Sequence, residues 1–428
     1  MKSKRAFIIV DLGFGDAGKG LLTDYLVRRE NADLVVRFNG GAQAGHNVVT
    51  ADGRHHTFSQ FGSGTFVPGV RTHLGRDVVI HPTALAVEAQ ALAKAGETRA
   101  LERLSVDPEC RVTTPFQQAH NRLLELARGA HRHGSCGVGF GPTVDDSISR
   151  PELVVRFGEL VRPTNALRER LRHEREHKLS QWPHISPEQE REFVALKNPD
   201  VLERWLGAAS HVANQVTLLE SGAAIRGAER IVFEGAQGVL LDQDCGFHPY
   251  TTYSRCTPHA ARALLHAAAF EGSAHCVGVL RSYMVRHGPG PLPTEAAELV
   301  RVTAEPHNRH DPWQGAVRKG YFDVPLLRYA LAASASVDAL CITHLDALPE
   351  RICARYDSVT TLPLPRNLAE QERLTELLLR QRPVLSPVGS ERAFLELVGA
   401  STDVPVEYTS TGPRASDVHP WSPTRLGA

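Results

Sequence analysis

The feature that most constrains the fold of this chain is a glycine-rich loop between a predicted strand and a predicted helix. Residues 6–12 are apolar and rich in β-branched side chains, glycines follow from Gly13 to Gly20, and residues 21–29 carry apolar side chains at helical spacing. Backbone N–H groups of such a loop turn toward phosphate oxygens, and the N-terminus of the next helix favours their negative charge. This strand–loop–helix unit predicts a phosphate-binding site.

The loop fits two nucleotide-binding templates, G-x-G-x-x-G for a dinucleotide and G-x-x-x-x-G-K for a triphosphate. Lys19 favours the triphosphate, because a point charge there suits β- and γ-phosphates; a dinucleotide oxidoreductase is the alternative. The triphosphate template has Ser or Thr after the lysine to hold magnesium, whereas this chain has Gly20. Asp16 is the nearby carboxylate that can reach a metal and the phosphate, unless it caps the helix instead.

The composition narrows the classes of partner. Lysine plus arginine equals aspartate plus glutamate at 48 each, so the chain has no net field to gather nucleic acid or an acidic membrane. The seven cysteines form no C-x-x-C pair and predict neither a disulfide framework nor a zinc site. The first apolar run ends at Asp11, too short for a signal segment or a membrane span. We expect a soluble, cytoplasmic protein without nucleic-acid or membrane partners.

The rest of the chain alternates between short β-like runs and helical segments rich in alanine and leucine. Strand candidates are residues 34–38, 78–81, 230–233, 275–280 and 339–343. This alternation predicts an α/β fold with a large, mostly parallel central sheet flanked by helices and helical subdomains. We expect a single domain over 1–428 with helical insertions at roughly 84–130 and 150–225. The charged residues 167–193 predict solvated helices and a turn, and the proline-rich tail from Thr402 is expected to wrap the surface.

A second glycine-containing loop follows the predicted strand at residues 34–38 and ends at His46. A lone histidine is commonly structural, but the two loops together carry more information. The order G-D-x-G-K-G, helix, V-V-R-F-N-G-G-x-x-A-G-H resembles the adenylosuccinate synthetase family. Further blocks follow in the family's order, so the resemblance spans almost the whole chain: Gly137–Pro142, Phe233–Asp242, Gly290–Glu295, Thr343–Asp346 and Ser410–Pro413.

The resemblance implies a carbon–nitrogen ligase of purine nucleotide biosynthesis. Such an enzyme uses GTP to phosphorylate the 6-oxygen of a 6-oxopurine nucleotide, here expected to be IMP, and L-aspartate then displaces phosphate to give adenylosuccinate and GDP. By resemblance Asp16, His46 and Lys19 are catalytic, with Asp16 the base at purine N1 and His46 the acid. Mg²⁺ is the implied cofactor, with the Asp16 carboxylate and the Gly45 carbonyl as its ligands.

The resemblance also assigns residues to three substrates. The GTP site takes in the first loop and two later strand ends: Gly15, Asp16, Gly18, Lys19, Gly20, Arg318, His344, Asp346, Ser410, Thr411 and Gly412. The purine nucleotide is expected at Gln43, Gly45, Arg150, Gln237 and Thr252, and the amino acid at Trp313, Gln314 and Arg318.

Some of these assignments have plain alternatives. Arg150 matches an arginine that reaches the partner subunit's nucleotide, which implies a homodimer, although it is otherwise a surface arginine. Asp346 can accept both the N1–H and the N2–H of guanine, yet Thr343–Asp346 also suits an ordinary strand exit. Trp313 is either a lid over the substrate or a packing anchor for its loop.

The chain departs from the family mainly around the substrates. Ala42–Gln43 replaces His-Asn, Cys136 replaces a threonine, and Ala316 stands where an arginine is expected, with Lys319 and Arg309 as substitutes. Residues 256–258 and the Phe-Gly of the first loop are similar to a phage branch that couples aspartate to deoxyguanylate; that branch loses the loop aspartate, which this chain keeps. Two alternatives therefore stay open: a guanylate or specialised purine acceptor, and a nucleotide-binding regulatory paralogue with weakened aspartate chemistry.

Overall fold

A computed structural model describes residues 4–302 and 313–422 of the chain. The strands within these residues are, in chain order, β1 (Lys4–Asp11), β2 (Leu34–Arg37), β3 (His46–Val49), β4 (His55–Phe58), β5 (Arg71–Leu74), β6 (Val79–Ile80), β7 (Leu104–Val106), β8 (Arg111–Val112), β9 (Thr217–Leu218), β10 (Arg230–Glu234), β11 (Gly272–Arg281), β12 (Tyr283–His287), β13 (Val317–Asp323), β14 (Ala339–Thr343), β15 (Arg351–Tyr356), β16 (Pro383–Pro387), β17 (Val406–Ser410) and β18 (Val418–Pro420).

The α-helices of the same residues cover the strands or lie between them. In chain order they are α1 (Lys19–Glu30), α2 (Pro82–Lys94), α3 (Pro115–Arg128), α4 (Phe140–Ser149), α5 (Asn165–Ser180), α6 (Glu190–Lys197), α7 (Asp200–Ala213), α8 (Ser221–Arg226), α9 (His259–Ala267), α10 (Ala297–Val302), α11 (Val324–Ser334), α12 (Leu368–Leu379) and α13 (Glu391–Thr402).

The described strands build a ten-stranded central sheet in the order β18-β17-β14-β11-β1-β10-β2-β5-β7-β9. Its neighbouring strands are parallel, except that β18 runs antiparallel to β17. The α/β fold with a large, mostly parallel sheet flanked by helices is therefore confirmed. A smaller sheet in the order β12-β13-β15-β16 lies beside it.

Strand β1 lies in the middle of the sheet and is buried on both faces. Successive side chains of a strand point to opposite faces. Phe7 and Ile9 pack with apolar residues of α1, whereas Ile8 and Val10 join the cluster on the opposite face. These four side chains are at most 2% exposed, and each contributes about 1.5–3 kcal/mol when fully buried. This packing anchors the glycine loop that follows β1.

A second hydrophobic cluster holds α2, α3, α5, α6 and α7 together. Its members include Phe116 of α3, Leu171 of α5 and Leu196 of α6, all fully buried. The prediction of helices and a turn across residues 167–193 is confirmed, but they are not wholly solvated, because their apolar face packs into this cluster.

The C-terminal part of the described chain is more regular than its sequence suggests. The tail was expected to wrap the surface, and that prediction is wrong: β17 pairs with β14, and β18 pairs with β17. Val406 and Tyr408 of β17 are buried, with the less buried Glu407 between them, and they provide the apolar side chains at this edge of the sheet. No helix in residues 4–302 or 313–422 has the length and apolar character required to cross a membrane.

Candidate functional site

The predicted binding loops meet at one edge of the sheet because they follow neighbouring parallel strands. The first loop follows β1, the second follows β2, and Glu234 ends β10 between them. On the other side of β1, residues 343–346 follow β14 and residues 410–412 follow β17. Ligands of open α/β sheets bind outside the carboxyl ends of the strands. The topology therefore places these four segments at the edge where a ligand is expected.

A cavity of about 860 Å³ opens at this edge. Its lining brings together these residues that were predicted from the sequence: Gly15, Asp16, Lys19, Gln43, Gly45, His46, Gln237, Thr252 and Gln314. A cavity of this size holds a ligand as large as a nucleotide.

The backbone of the first loop uses left-handed conformations. The φ angles of Gly15, Asp16 and Gly18 are 93°, 58° and 96°. Glycine adopts such angles at no steric cost, and aspartate tolerates them better than most residues. Helix α1 begins at Lys19 with Gly18 as its N-cap and no side-chain cap. The alternative in which Asp16 caps this helix is therefore wrong, and its carboxylate is directed elsewhere.

The carboxylate of Asp11, at the end of β1, accepts hydrogen bonds from the loop itself. The backbone N–H groups of Gly13 and Ala17 donate to it at 2.8 and 3.0 Å, and that of Gly15 donates at 3.3 Å. Lys19 Nζ lies 2.9 Å from Asp11 Oδ2, and the two side chains are 3% and 0% exposed. The donors that the sequence assigns to phosphate are thus held by a carboxylate of the same chain.

Asp16 meets a histidine that the sequence did not single out. Its Oδ2 lies 2.6 Å from Nε2 of His287, at the end of β12, and both side chains line the cavity. Burial acts to raise the pKa of Asp16, but the hydrogen bond and charge of His287, with the charge of Arg281, hold it well below its ordinary value. Asp16 is therefore an ionised carboxylate at neutral pH.

His46 is held by a buried carboxylate. Its Nδ1 lies 2.6 Å from Glu234 Oε1, and Ser63 N–H donates to Glu234 Oε2 at 2.9 Å. Burial lowers the pKa of His46 to about 4, against the upward pull of Glu234. Burial acts to raise the pKa of Glu234, but the charges of His46 and Arg37 lower it to about 2. Glu234 thus fixes the ring through Nδ1 and does not engage Nε2.

The absence of a side chain at position 20 has a steric reason. A Cβ on Gly20 would lie 2.9 Å from the Cβ of His46 and 3.0 Å from the carbonyl oxygen of Asn47. Cβ atoms in proteins essentially never approach other atoms this closely. The close approach of His46 in β3 to α1 therefore leaves no room at position 20 for the Ser or Thr of other phosphate loops.

Two amide side chains in the cavity wall are unsatisfied. Among the described residues, neither the oxygen nor the nitrogen of the Gln43 and Gln237 side-chain amides has a hydrogen-bond partner, although all four atoms are buried. Buried polar groups in native proteins are hydrogen-bonded in the great majority of cases. Since both residues line the cavity, they are the groups that a polar ligand is best placed to satisfy.

The strand end after β14 is tied to the phosphate loop. Thr343 Oγ1 donates to the carbonyl oxygen of Ala17 at 2.8 Å. His344 has a φ of 58°, and burial lowers its pKa to about 3. Asp346 follows in a one-turn 3-10 helix and is exposed. The chain direction here turns toward solvent, and neither His344 nor Asp346 lines the cavity.

The strand end after β17 lies next to that of β14. Ser410 is fully buried, and its hydroxyl donates to the carbonyl oxygen of Gly412 at 2.8 Å, closing a tight turn that contains Thr411. The two stretches that the sequence assigns to guanine therefore lie on adjacent strands, outside the 860 Å³ cavity.

The residues assigned to the amino acid are separated. Gln314 lines the cavity, whereas Trp313 packs on Gly137 and under the guanidinium of Arg122, 5.5 Å from its ring centroid, as a packing anchor does. Arg318 Nε lies 3.0 Å from Glu295 Oε1, away from the cavity lining. Arg309 lies outside the described residues.

Arg150 ends α4 and donates to the ring of His177 in α5. It does not line the cavity. The described residues contain no group of three or more His, Cys, Asp or Glu side chains arranged to hold a metal ion.

Three residues that the sequence analysis gave no role stand next to predicted ones. They are Asp11 beside Lys19, His287 beside Asp16, and Glu234 beside His46. An acidic residue at the end of an apolar strand, two positions before a glycine loop, is a signal that can be read from the sequence. His287 carries no such signal, because only the fold brings it to a residue 271 positions earlier.

Comparisons with known proteins match one family over nearly the whole chain. The family described as adenylosuccinate synthetase matches residues 8–419. The adenylosuccinate synthetase of Marinomonas sp. (strain MWYL1) is 31% identical over 95% of this chain and 96% of its own, and that of Alkalilimnicola ehrlichii is 33% identical over 95% of each.

Two solved structures share the fold. A fully ligated adenylosuccinate synthetase from Plasmodium falciparum superposes with a TM-score of 0.75 at 21% identity, covering 97% of this chain and 99% of the other. The succinoaminodeoxyadenylate synthetase of cyanophage S-2L, bound to dGMP and dATP, gives 0.62 at 20% identity, covering 98% and 96%. The dinucleotide oxidoreductase alternative does not agree with these findings. The chain belongs to the adenylosuccinate synthetase family of GTP-dependent carbon–nitrogen ligases in purine biosynthesis.

Proposed function

We propose that the protein joins L-aspartate to IMP, using GTP, through a 6-phosphoryl intermediate, and releases adenylosuccinate, GDP and phosphate. The observation that carries this proposal is the set of groups in one cavity wall: an ionised carboxylate, a histidine held by a buried glutamate, and two unsatisfied amides. These are the groups that removal of a proton from a purine and recognition of its edge require.

Asp16 acts as the base at N1 of the purine. Removing this proton turns the 6-oxo group into a nucleophile, which attacks the γ-phosphorus of GTP while GDP leaves. The low pKa of Asp16 keeps the carboxylate free of a proton before the reaction, and His287 holds its orientation at 2.6 Å. The developing charge on the 6-oxygen is the feature that the rest of the site must stabilise.

His46 stabilises that charge. Burial lowers the pKa of His46 and so favours the neutral ring. Negative charge on the 6-oxygen and the transferring phosphoryl group favours the imidazolium, and the Glu234 carboxylate at 2.6 Å stabilises the same charged form. The protonated Nε2 then donates a hydrogen bond to the 6-oxygen. The amine of aspartate next attacks C6, and the phosphate departs with the 6-oxygen.

GTP is proposed to lie along the strand ends from β1 to β17. Strand spacing in a sheet is about 4.8 Å, so the three steps from β1 through β11 and β14 to β17 cover roughly 14 Å. This distance suits an extended nucleotide with its phosphates at Lys19 and its base at Asp346 and Ser410. The hydrogen bond from Thr343 to Ala17 joins the two ends of this proposed site.

Mg²⁺ fits the oxygen donors available. It takes carboxylate and carbonyl oxygens, keeps several waters, and shares substrate phosphates rather than needing a cage of side chains. The Asp16 carboxylate and the Gly45 carbonyl belong to loops lining the same cavity and would hold it. When bound, the ion neutralises charge on the phosphates.

The aspartate substrate and the dimer complete the proposal. Gln314 in the cavity wall is assigned to the amino acid, with its neighbour Trp313 and with Arg318 of β13. Gln43, Gln237 and Thr252 are assigned to the purine nucleotide. Arg150 is proposed to reach the nucleotide of a partner subunit in a homodimer.

The test is an assay of phosphate release with a panel of purine monophosphates, GTP or ATP, and aspartate. The proposal expects turnover with IMP, GTP and aspartate together, and none when any one is left out. Turnover with a guanylate instead would assign a different acceptor, and GTP binding without aspartate-dependent turnover would favour the regulatory paralogue. No aspartate-dependent turnover with any acceptor refutes the proposal.

Variants at the two reacting groups sharpen this test. Asp16→Asn and His46→Asn should each abolish turnover and leave the far-ultraviolet circular dichroism spectrum unchanged. Asp52→Asn and His211→Asn, at exposed positions, are the matched controls and should retain activity. Retained activity in both Asp16→Asn and His46→Asn would contradict the acid and base roles.

A further inference from the structure

The donors of the phosphate loop are engaged by an anionic side chain of the protein itself. Asp11 accepts the N–H groups of Gly13, Gly15 and Ala17 and pairs with Lys19. Both charged side chains are almost completely buried, at 0% and 3% exposure. An unpaired buried ammonium or N–H group is costly, and Asp11 removes both costs when no nucleotide is present.

The same donors cannot fully serve two anions. A backbone N–H makes one good hydrogen bond along its axis, so each N–H on Asp11 is withdrawn from a phosphate oxygen. Lys19 has three donors, but the charge that it offers to a phosphate is offset by the carboxylate at 2.9 Å. A nucleotide phosphate that enters this loop must therefore take donors from Asp11 and approach a like charge.

We propose that Asp11 competes with the nucleotide's phosphates for the loop and thereby sets the affinity of the enzyme for its triphosphate. The inference rests on the proposed function in one respect, namely that the nucleotide's phosphates bind at Gly13–Gly20. Asp11 orders the loop when no nucleotide is bound, and it releases Lys19 when the triphosphate binds. It acts through Lys19 and the loop, and is a positioning residue rather than a catalytic one.

A purely structural role predicts the opposite result. If Asp11 only shaped the loop, its removal would disorder the donors and weaken binding of the nucleotide. If it competes, its removal frees Lys19 and the N–H groups and strengthens binding. Asp11→Asn separates the two, because the amide keeps the size of the carboxylate and one acceptor oxygen while losing the charge.

The experiment measures the Kd of GTP and of inorganic tripolyphosphate by calorimetry for the full-length chain. For Asp11→Asn we expect the Kd of both ligands to fall by about tenfold, the change that corresponds to about 1.4 kcal/mol. Lys19→Met should raise the Kd, and in the double variant Asp11→Asn should give a smaller gain, because only the backbone N–H groups are then freed. Asp24→Asn is the matched control, since Asp24 is a buried aspartate paired with Arg28 on α1, and should leave the Kd unchanged.

An unchanged or higher Kd in Asp11→Asn overturns the proposal, as does a gain of undiminished size without Lys19. Asp11→Gly is the second variant; loss of folding in both, seen as loss of a cooperative melting transition, would make Asp11 a structural residue and also overturn it. Absence of GTP and tripolyphosphate binding in every variant has the same consequence. Because these outcomes are read from binding, aspartate-dependent turnover in the wild type separately reports on the proposed function.

Discussion

Replacing Gly20 with serine restores the hydroxyl residue that phosphate loops carry after their lysine, and we expect it to damage this site. Serine is the better helix former, so propensity alone predicts a gain of up to about 0.5 kcal/mol within α1. The added Cβ, however, lies 2.9 Å from the Cβ of His46 and 3.0 Å from the backbone oxygen of Asn47. Neither neighbour is the far end of a flexible side chain, so backbone must move.

The size of the effect follows from these distances. Ordinary contact begins at 3.4 Å, so His46 must shift by about 0.5 Å from its place beside α1. Overpacking of this kind costs about 1–3 kcal/mol, which exceeds the gain in helix propensity. A misplacement near 1 Å in a catalytic group can cost about 100-fold in rate, so we expect kcat to fall by roughly tenfold or more.

The assay compares urea unfolding and steady-state turnover of Gly20→Ser with those of Gly207→Ser. Gly207 lies within α7, and a Cβ there has no neighbour within 4 Å, so its replacement tests helix propensity without the contact. We expect Gly207→Ser to be at least as stable as the wild type and equally active. If Gly20→Ser unfolds at the wild-type urea concentration and keeps its kcat, the steric account of this position is wrong.

Three further predictions concern charges and unsatisfied groups. Glu234→Gln should lower kcat about tenfold to 100-fold at unchanged fold, because His46 loses a charge-assisted hydrogen bond worth about 1.5–3 kcal/mol; steady-state kinetics would show a KM effect instead if Glu234 only shaped the pocket. Gln43→Leu should leave the melting temperature unchanged or higher and raise the KM for the purine nucleotide, since its buried amide loses no protein partner; a lower melting temperature would contradict this. Burial lowers the pKa of His73 from 6.5 to about 4, so the unfolded chain binds a proton first and stability falls as pH drops from 6.5 toward 4; His73→Asn should remove about 2 kcal/mol of that loss between pH 6.5 and 5, measured by urea unfolding at each pH.

The sequence predicted most securely those elements whose local pattern and packing agree. Strand β1, the glycine loop and α1 follow one another with the expected residues, because a continuous run of apolar side chains suits a central strand buried on both faces. The tail was misread for the opposite reason. Strands β17 and β18 are short and flanked by prolines, so only their pairing with β14 makes them strands.

The candidate site was predictable where a motif carries its own chemistry. Lys19, Asp16 and His46 lie in or at the end of loops that are recognisable by their glycines. The fold brings all three to one cavity. The partners of these residues depend on tertiary structure. His287 contacts Asp16 because β12, which follows β11, ends beside the first glycine loop. No spacing in the sequence encodes that contact.

The two unsatisfied amides of Gln43 and Gln237 bear on discrimination among nucleobases. A site whose buried polar groups are left unpaired by the wrong molecule rejects that molecule far more strongly than an apolar pocket can, by factors of about 10⁴ or more. Each buried amide that is left without a hydrogen-bond partner costs about 1–3 kcal/mol. Under the proposed function, a base that presents no complementary edge leaves both amides unpaired and incurs this cost twice.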